Sequence, residues 1–157
     1  MLLAAATPAV RQRTRIKDPT RSPRLANVLV VDDEEAVRLG MKALLEEFGC
    51  GVSLAASTSE AIAASEQRKH DILIADFRLR GEDNGLKTIL AVRQRQAGIA
   101  AILMTGETAP ERLKAARDAG VELIHKPVSA EALKQQLLRL SRDPAEINDY
   151  AARASSL

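Results

Sequence analysis

From Asn27 onward, short apolar runs alternate with longer stretches whose apolar residues recur at helical spacing. Val28-Leu29-Val30-Val31, Ile72-Leu73-Ile74-Ala75 and Ile102-Leu103-Met104 are continuously apolar, the pattern of parallel strands covered on both faces. Val52 to Leu54 and Glu122 to His125 carry weaker strand signals, which predicts places nearer the sheet edges. Between the runs, Val37, Met41, Leu44, Leu45 and Phe48 fall on one helical face that Gly49 ends. Ser57-Thr58-Ser59-Glu60 and Thr108-Ala109-Pro110-Glu111 both fit the S/T-x-x-E capping box, predicting helices that start near residues 58 and 109. Leu86, Ile89, Leu90 and Val92 suggest another helix, and Gly120 stops the one before the last strand. Ser129 opens a final helix carrying Leu133, Leu137, Leu138 and Leu140.

Strands alternating with helices imply an α/β fold, a three-layer sandwich with a parallel sheet, right-handed crossovers and helices on both faces. Ligands collect at the strand C-terminal ends of such a sheet. The informative polar residues stand there: Asp32 and Asp33 after the first strand, Asp76 after the third, Thr105 after the fourth, Lys126 after the last. Taken singly, each has a plain reading, as a helix cap, a strand end or a solvated charge. As a set in this order they specify chemistry.

Three carboxylates brought together repel one another and raise their own pKa values unless a cation joins them. Their oxygen-only character suits Mg²⁺. A phosphoryl donor is anionic, so a carboxylate nucleophile approaches it only when charge is neutralised. In this reading Asp76 is the nucleophile, and Asp32 and Asp33 hold Mg²⁺ directly or through water. Lys126 pairs with one phosphoryl oxygen, the Thr105 hydroxyl donates to another, and Gly106 leaves room for the group to enter.

Charge and cysteine use narrow the setting. Residues 1–24 hold six basic residues against Asp18, which leaves the remainder of a +2 chain at −3. Residues 1–25 read as a basic, disordered tail, 26–141 as one domain, and 142–157 as a C-terminal tail or short helix. Cys50, the single cysteine, forms no internal disulfide and reads as a small apolar residue near a strand; a cytoplasmic setting fits. No apolar run approaches the ~20 residues that span a bilayer. His70 and His125, before and within strands, read as structural, and no P-loop is present.

Val28-Leu29-Val30-Val31-Asp32-Asp33-Glu34, Asp71-Ile72-Leu73-Ile74-Ala75-Asp76, Met104-Thr105-Gly106 and Lys126-Pro127 resemble the signature segments of bacterial response-regulator receiver domains, over roughly residues 26–141. Leu123 to Val128, together with Thr105 to Arg112, are most similar to C-terminal receivers of hybrid sensor histidine kinases. The resemblance implies the flavodoxin-like strand order 2-1-3-4-5. It also implies a metal site completed by the Arg78 carbonyl and a cis Lys126-Pro127 bond. It makes the protein a phosphoacceptor that assists its own phosphorylation and dephosphorylation, and not an enzyme. A sensor histidine kinase or a histidine phosphotransfer protein is the implied phosphodonor, and an unknown protein the downstream target.

One position departs from the family, and a pair of positions varies in a way that bears on timing. Receivers usually place Tyr or Phe three residues before the lysine, where this chain has Leu123, so the inward aromatic swing is not available here. Arg78 and Glu107 occupy positions that flank the path of hydrolytic water in the family; they either pair across the site and slow dephosphorylation or stand solvated.

Two other functions compete. An aspartate-nucleophile hydrolase would use a strand-end Asp, Mg²⁺ and Lys, but normally needs a second Asp two residues after the nucleophile, where Arg78 stands. A receiver-shaped interaction module that is never phosphorylated would have lost acidic or lysine positions, and none is missing. With no DNA-binding effector expected after residue 141, output is expected through protein contacts, a homodimer or phosphate relay.

Overall fold

The computed structural model describes residues 26–106 and 109–141. Five strands, β1 (Asn27–Val31), β2 (Gly51–Ala55), β3 (Ile72–Asp76), β4 (Ala100–Thr105) and β5 (Glu122–His125), alternate with five helices. The helices are α1 (Glu35–Glu47), α2 (Thr58–Gln67), α3 (Gly85–Arg95), α4 (Pro110–Asp118) and α5 (Ala130–Leu140). All strands pair in parallel, in the order β2-β1-β3-β4-β5. The weak strand signals at β2 and β5 do fall on the edges, where only one neighbour must be satisfied.

Alternate residues of each strand feed two cores. Leu29, Val31, Leu73, Ala75, Ala101 and Leu103 meet Ala61 of α2, Ile89 and Val92 of α3 and Ala116 of α4. Val28, Val30, Ile72, Ile74, Ile102 and Met104 meet Met41 and Leu45 of α1 and Leu133 and Leu137 of α5. With both faces covered, the central strands have no polar side to show. Cys50 is buried in the second core, and burial pushes its thiol up to about 11, which makes it an inert apolar residue.

Local differences from the sequence reading have local causes. At α2, the Glu60 N–H donates to Ser57 Oγ, but Glu60 Oε2 accepts from the Ala56 N–H, one residue earlier than in a capping box. At α4 the N-cap residue is Ala109, without a side-chain cap, and Pro110 sits at the first helical position, where its missing N–H costs nothing. The expected cap, Thr108, and Glu107 lie outside the described residues, as do both tails. Leu90 does not join the core face: it is 47 % exposed, because one residue past Ile89 is a rotation of about 100° away from the sheet.

Two polar braces hold the end of the sheet opposite the site. Arg93 of α3 donates to the carbonyls of Ile99, Ala119 and Gly120, tying α3 to the C-terminal end of α4. His70 is buried between β2 and α3, with Nε2 2.9 Å from Ser53 Oγ and its backbone N–H donating to Gln96 Oε1 at 3.2 Å. Burial, helped by the Arg68 charge, lowers the His70 pKa below its ordinary 6.5. A lowered pKa means that the folded state keeps the ring neutral, so this stability is complete above 6.5 and drains as pH falls below it. His70→Gln is therefore expected to lose less melting temperature than the wild type between pH 7 and pH 5, by thermal denaturation followed by circular dichroism. Equal losses would contradict this account.

Candidate functional site

The backbone fixes the candidate side chains before any of them interact. Asp32 N–H donates to Ala55 O at 3.1 Å, Phe77 N–H to Met104 O at 2.8 Å and Lys126 N–H to Thr105 O at 2.9 Å, each continuing the sheet ladder past a strand end. Asp76 is the last residue of β3 and pairs in register with Met104, the residue before Thr105. Asp32, Asp33, Asp76, Thr105 and Lys126 thus meet at one end of the sheet.

Carboxylate oxygens of Asp32, Asp33 and Asp76 lie within 4.8 Å of one another. Asp76 Oδ1 is 2.9 Å from Lys126 Nζ and also receives a long bond, 3.4 Å, from the Arg78 N–H. Asp32 Oδ1 accepts from the Glu34 N–H at 2.8 Å, whereas Asp32 Oδ2 is buried without a partner among the described residues. Burial raises the Asp32 pKa, the Glu34 bond opposes it, and the Asp76 charge adds to the rise. A cation at the cluster would satisfy the orphaned oxygen and relieve the repulsion, so the donor set fits an oxygen-preferring divalent ion.

The remaining sequence candidates are placed as follows. Thr105 is buried, and the Lys126-Pro127 bond is cis. Gly106 is exposed, and a Cβ there would meet nothing within 4 Å, so no atom of the described residues requires glycine at that position. Leu123 is half-buried against the core shared by α2, α3 and α4. Arg78 forms an antiparallel bridge with Asn84; its pairing with Glu107 lies outside the described residues.

Sequence reasoning missed four contacts. Arg38 Nη1 donates to the Asp32 carbonyl at 2.7 Å, and Arg80 Nε lies 3.4 Å from Asp33 Oδ2. The Arg112 guanidinium stands 5.4 Å from the centre of the Phe77 ring, linking the residue after Asp76 to α4. Gly85 approaches Asp76 so closely that a Cβ would stand 2.2 Å from its carbonyl oxygen. Only the last had a signal: Asn84 before Gly85 marks a helix start, and Asn84 Oδ1 indeed accepts from the Lys87 N–H at 2.9 Å.

Fold and site together define a flavodoxin-like α/β protein with an acidic pocket at the carboxyl ends of its strands. The chain belongs to the response regulator receiver domain family, whose model matches residues 28–138. It is similar to the alginate biosynthesis transcriptional regulatory protein AlgB of Pseudomonas aeruginosa, at 30% identity over 88% of this chain and 30% of that protein. It is also similar to the sensory/regulatory protein RpfC of Xanthomonas campestris, at 30% identity over 89% of this chain and 19% of that protein. The chain therefore spans less than a third of the length of these curated relatives. Among solved structures, the chemotaxis protein CheY4 of Vibrio cholerae matches with a TM-score of 0.68 and 28% identity, over 74% of this chain and 98% of that one. The chain is a receiver domain of two-component signalling. Receiver domains typically bind Mg²⁺ at an acidic pocket, and this one has the aspartate cluster for it. No helix among the described residues is long and apolar enough to cross a membrane.

Proposed function

We propose that residues 26–141 form a phosphoacceptor domain in which Asp76 takes a phosphoryl group from a phosphohistidine of a sensor histidine kinase or a histidine phosphotransfer protein. The observation that carries this reading is the Asp76–Lys126 pair, 2.9 Å apart, inside a cluster of three carboxylates. Asp32, Asp33 and Asp76, with the Arg78 carbonyl, would hold Mg²⁺, which when bound supplies positive charge to the phosphoryl oxygens. A carboxylate oxygen of Asp76 bonds to phosphorus as the bond from phosphorus to the imidazole nitrogen breaks, and the electron pair stays with the ring. Lys126 turns from Asp76 to a phosphoryl oxygen, and the Thr105 hydroxyl donates to another. The chain is thus a stoichiometric acceptor that assists its own loading and unloading, and its output is a change in protein contacts in the cytoplasm. Retention of all three acidic positions and the lysine favours this over an unphosphorylated interaction module, and Arg78 in place of a second aspartate disfavours a hydrolase.

Incubation of the chain with acetyl phosphate and Mg²⁺ is the direct test. One acyl phosphate per chain is expected, labile to hydroxylamine, mapping by reduction to homoserine at position 76, and absent when a chelator is added first. Label on another residue, or label indifferent to the chelator, would contradict the proposal.

A further inference from the structure

The acidic pocket contains a positive charge to which the mechanism above gives no role. Asp76 has Lys126 as its counter-ion; Asp33 has Arg80, at 3.4 Å. Arg80 lies in the connection from β3 to α3, which folds back on itself through the Arg78–Asn84 bridge and turns at Gly81, whose φ is +76. The Gly85 N–H closes the base of that loop by donating to Phe77 O at 2.9 Å. The backbone under Arg80 is therefore pinned, while its side chain is 84% exposed and Asp33 only 20%. An exposed pair of this kind contributes little to folding and dissolves at little cost. What it does change is the charge that an incoming cation meets.

We propose that Arg80 is the exchangeable counter-ion of the pocket: it neutralises Asp33 when no divalent cation is bound, competes with that cation for the same carboxylate, and so sets the cation affinity. The inference rests on the metal reading given above. A unit charge displaced to roughly 6–12 Å from a divalent ion still opposes its binding, at the dielectric constant of water, by an amount that corresponds to about three- to tenfold in affinity. Asp32 Oδ2, buried and without a partner among the described residues, gives the cation a reason to enter that Arg80 does not satisfy, so competition is confined to Asp33. Arginine suits the role because its weakly hydrated guanidinium leaves and returns without rebuilding a tight water shell.

Isothermal titration of the full chain with Mg²⁺ tests this without any phosphodonor. Arg80→Gln is expected to bind Mg²⁺ about three- to tenfold more tightly than the wild type, and Arg80→Lys within about twofold of it. Raising KCl should narrow the gap between wild type and Arg80→Gln, since the competing charge is exposed to screening. Binding by Arg80→Gln that equals or falls below wild type, with Asp33→Asn still weakened, overturns the counter-ion role and leaves the metal site standing. Binding that is unaltered in Asp33→Asn as well overturns both.

Discussion

Asp76→Asn is expected to abolish phosphoryl acceptance, lowering the rate of labelling by acetyl phosphate by more than about 100-fold. The substitution preserves shape and exchanges an anionic oxygen for an amide that is a poor nucleophile. It also removes the 2.9 Å partner of Lys126 and the negative charge that helps to raise the Asp32 pKa. These two effects act on stability in opposite directions, so the variant should fold like the wild type by circular dichroism while failing to load. Labelling at a comparable rate would mean that the acceptor lies elsewhere.

Gly85→Ala is expected to destabilise the domain by about 2–3 kcal/mol or more, although it adds a single methyl group. The new Cβ would stand 2.2 Å from the Asp76 carbonyl oxygen, 2.9 Å from its carbon and 2.7 Å from Leu103 Cδ1. Leu103 can turn aside, but the Asp76 backbone belongs to a strand paired on both sides, between β1 and β4. Relief must come from pushing the start of α3 away or from tilting Asp76, so acceptor activity should fall with stability. Gly106→Ala, where a Cβ meets no atom of the described residues within 4 Å, should leave the melting temperature within a degree or two of wild type and serves as the control. Comparable melting temperatures for both variants would show that the approach at Gly85 is easily relaxed.

The central strands were legible because both their faces are buried, which leaves short, unbroken apolar runs rich in Val and Ile, and their length and alternation with helical stretches mark them as strands. The acidic and lysine positions were legible because a parallel sheet brings its strand ends together whatever the loops do. Side chains that reach the pocket from loops were not. Arg80 meets Asp33 only because the Arg78–Asn84 bridge reverses the chain, and nothing in the spacing of charged residues announces that reversal. Gly85 offered only the ambiguous Asn-Gly signal, since its crowding comes from a strand nine residues back and from Leu103 on another. Leu90 shows the limit of periodicity, which marks the apolar residues of a helix without saying how wide the buried stripe is.

The two ends of α4 are held by different means. Arg93 gathers the carbonyls at its far end, while at its near end the N-cap residue, Ala109, has no polar side chain with which to cap the first turn. That near end is tied instead through Arg112 to the Phe77 ring, so a disturbance arriving from β3 reaches α4 at the end farthest from the Arg93 brace.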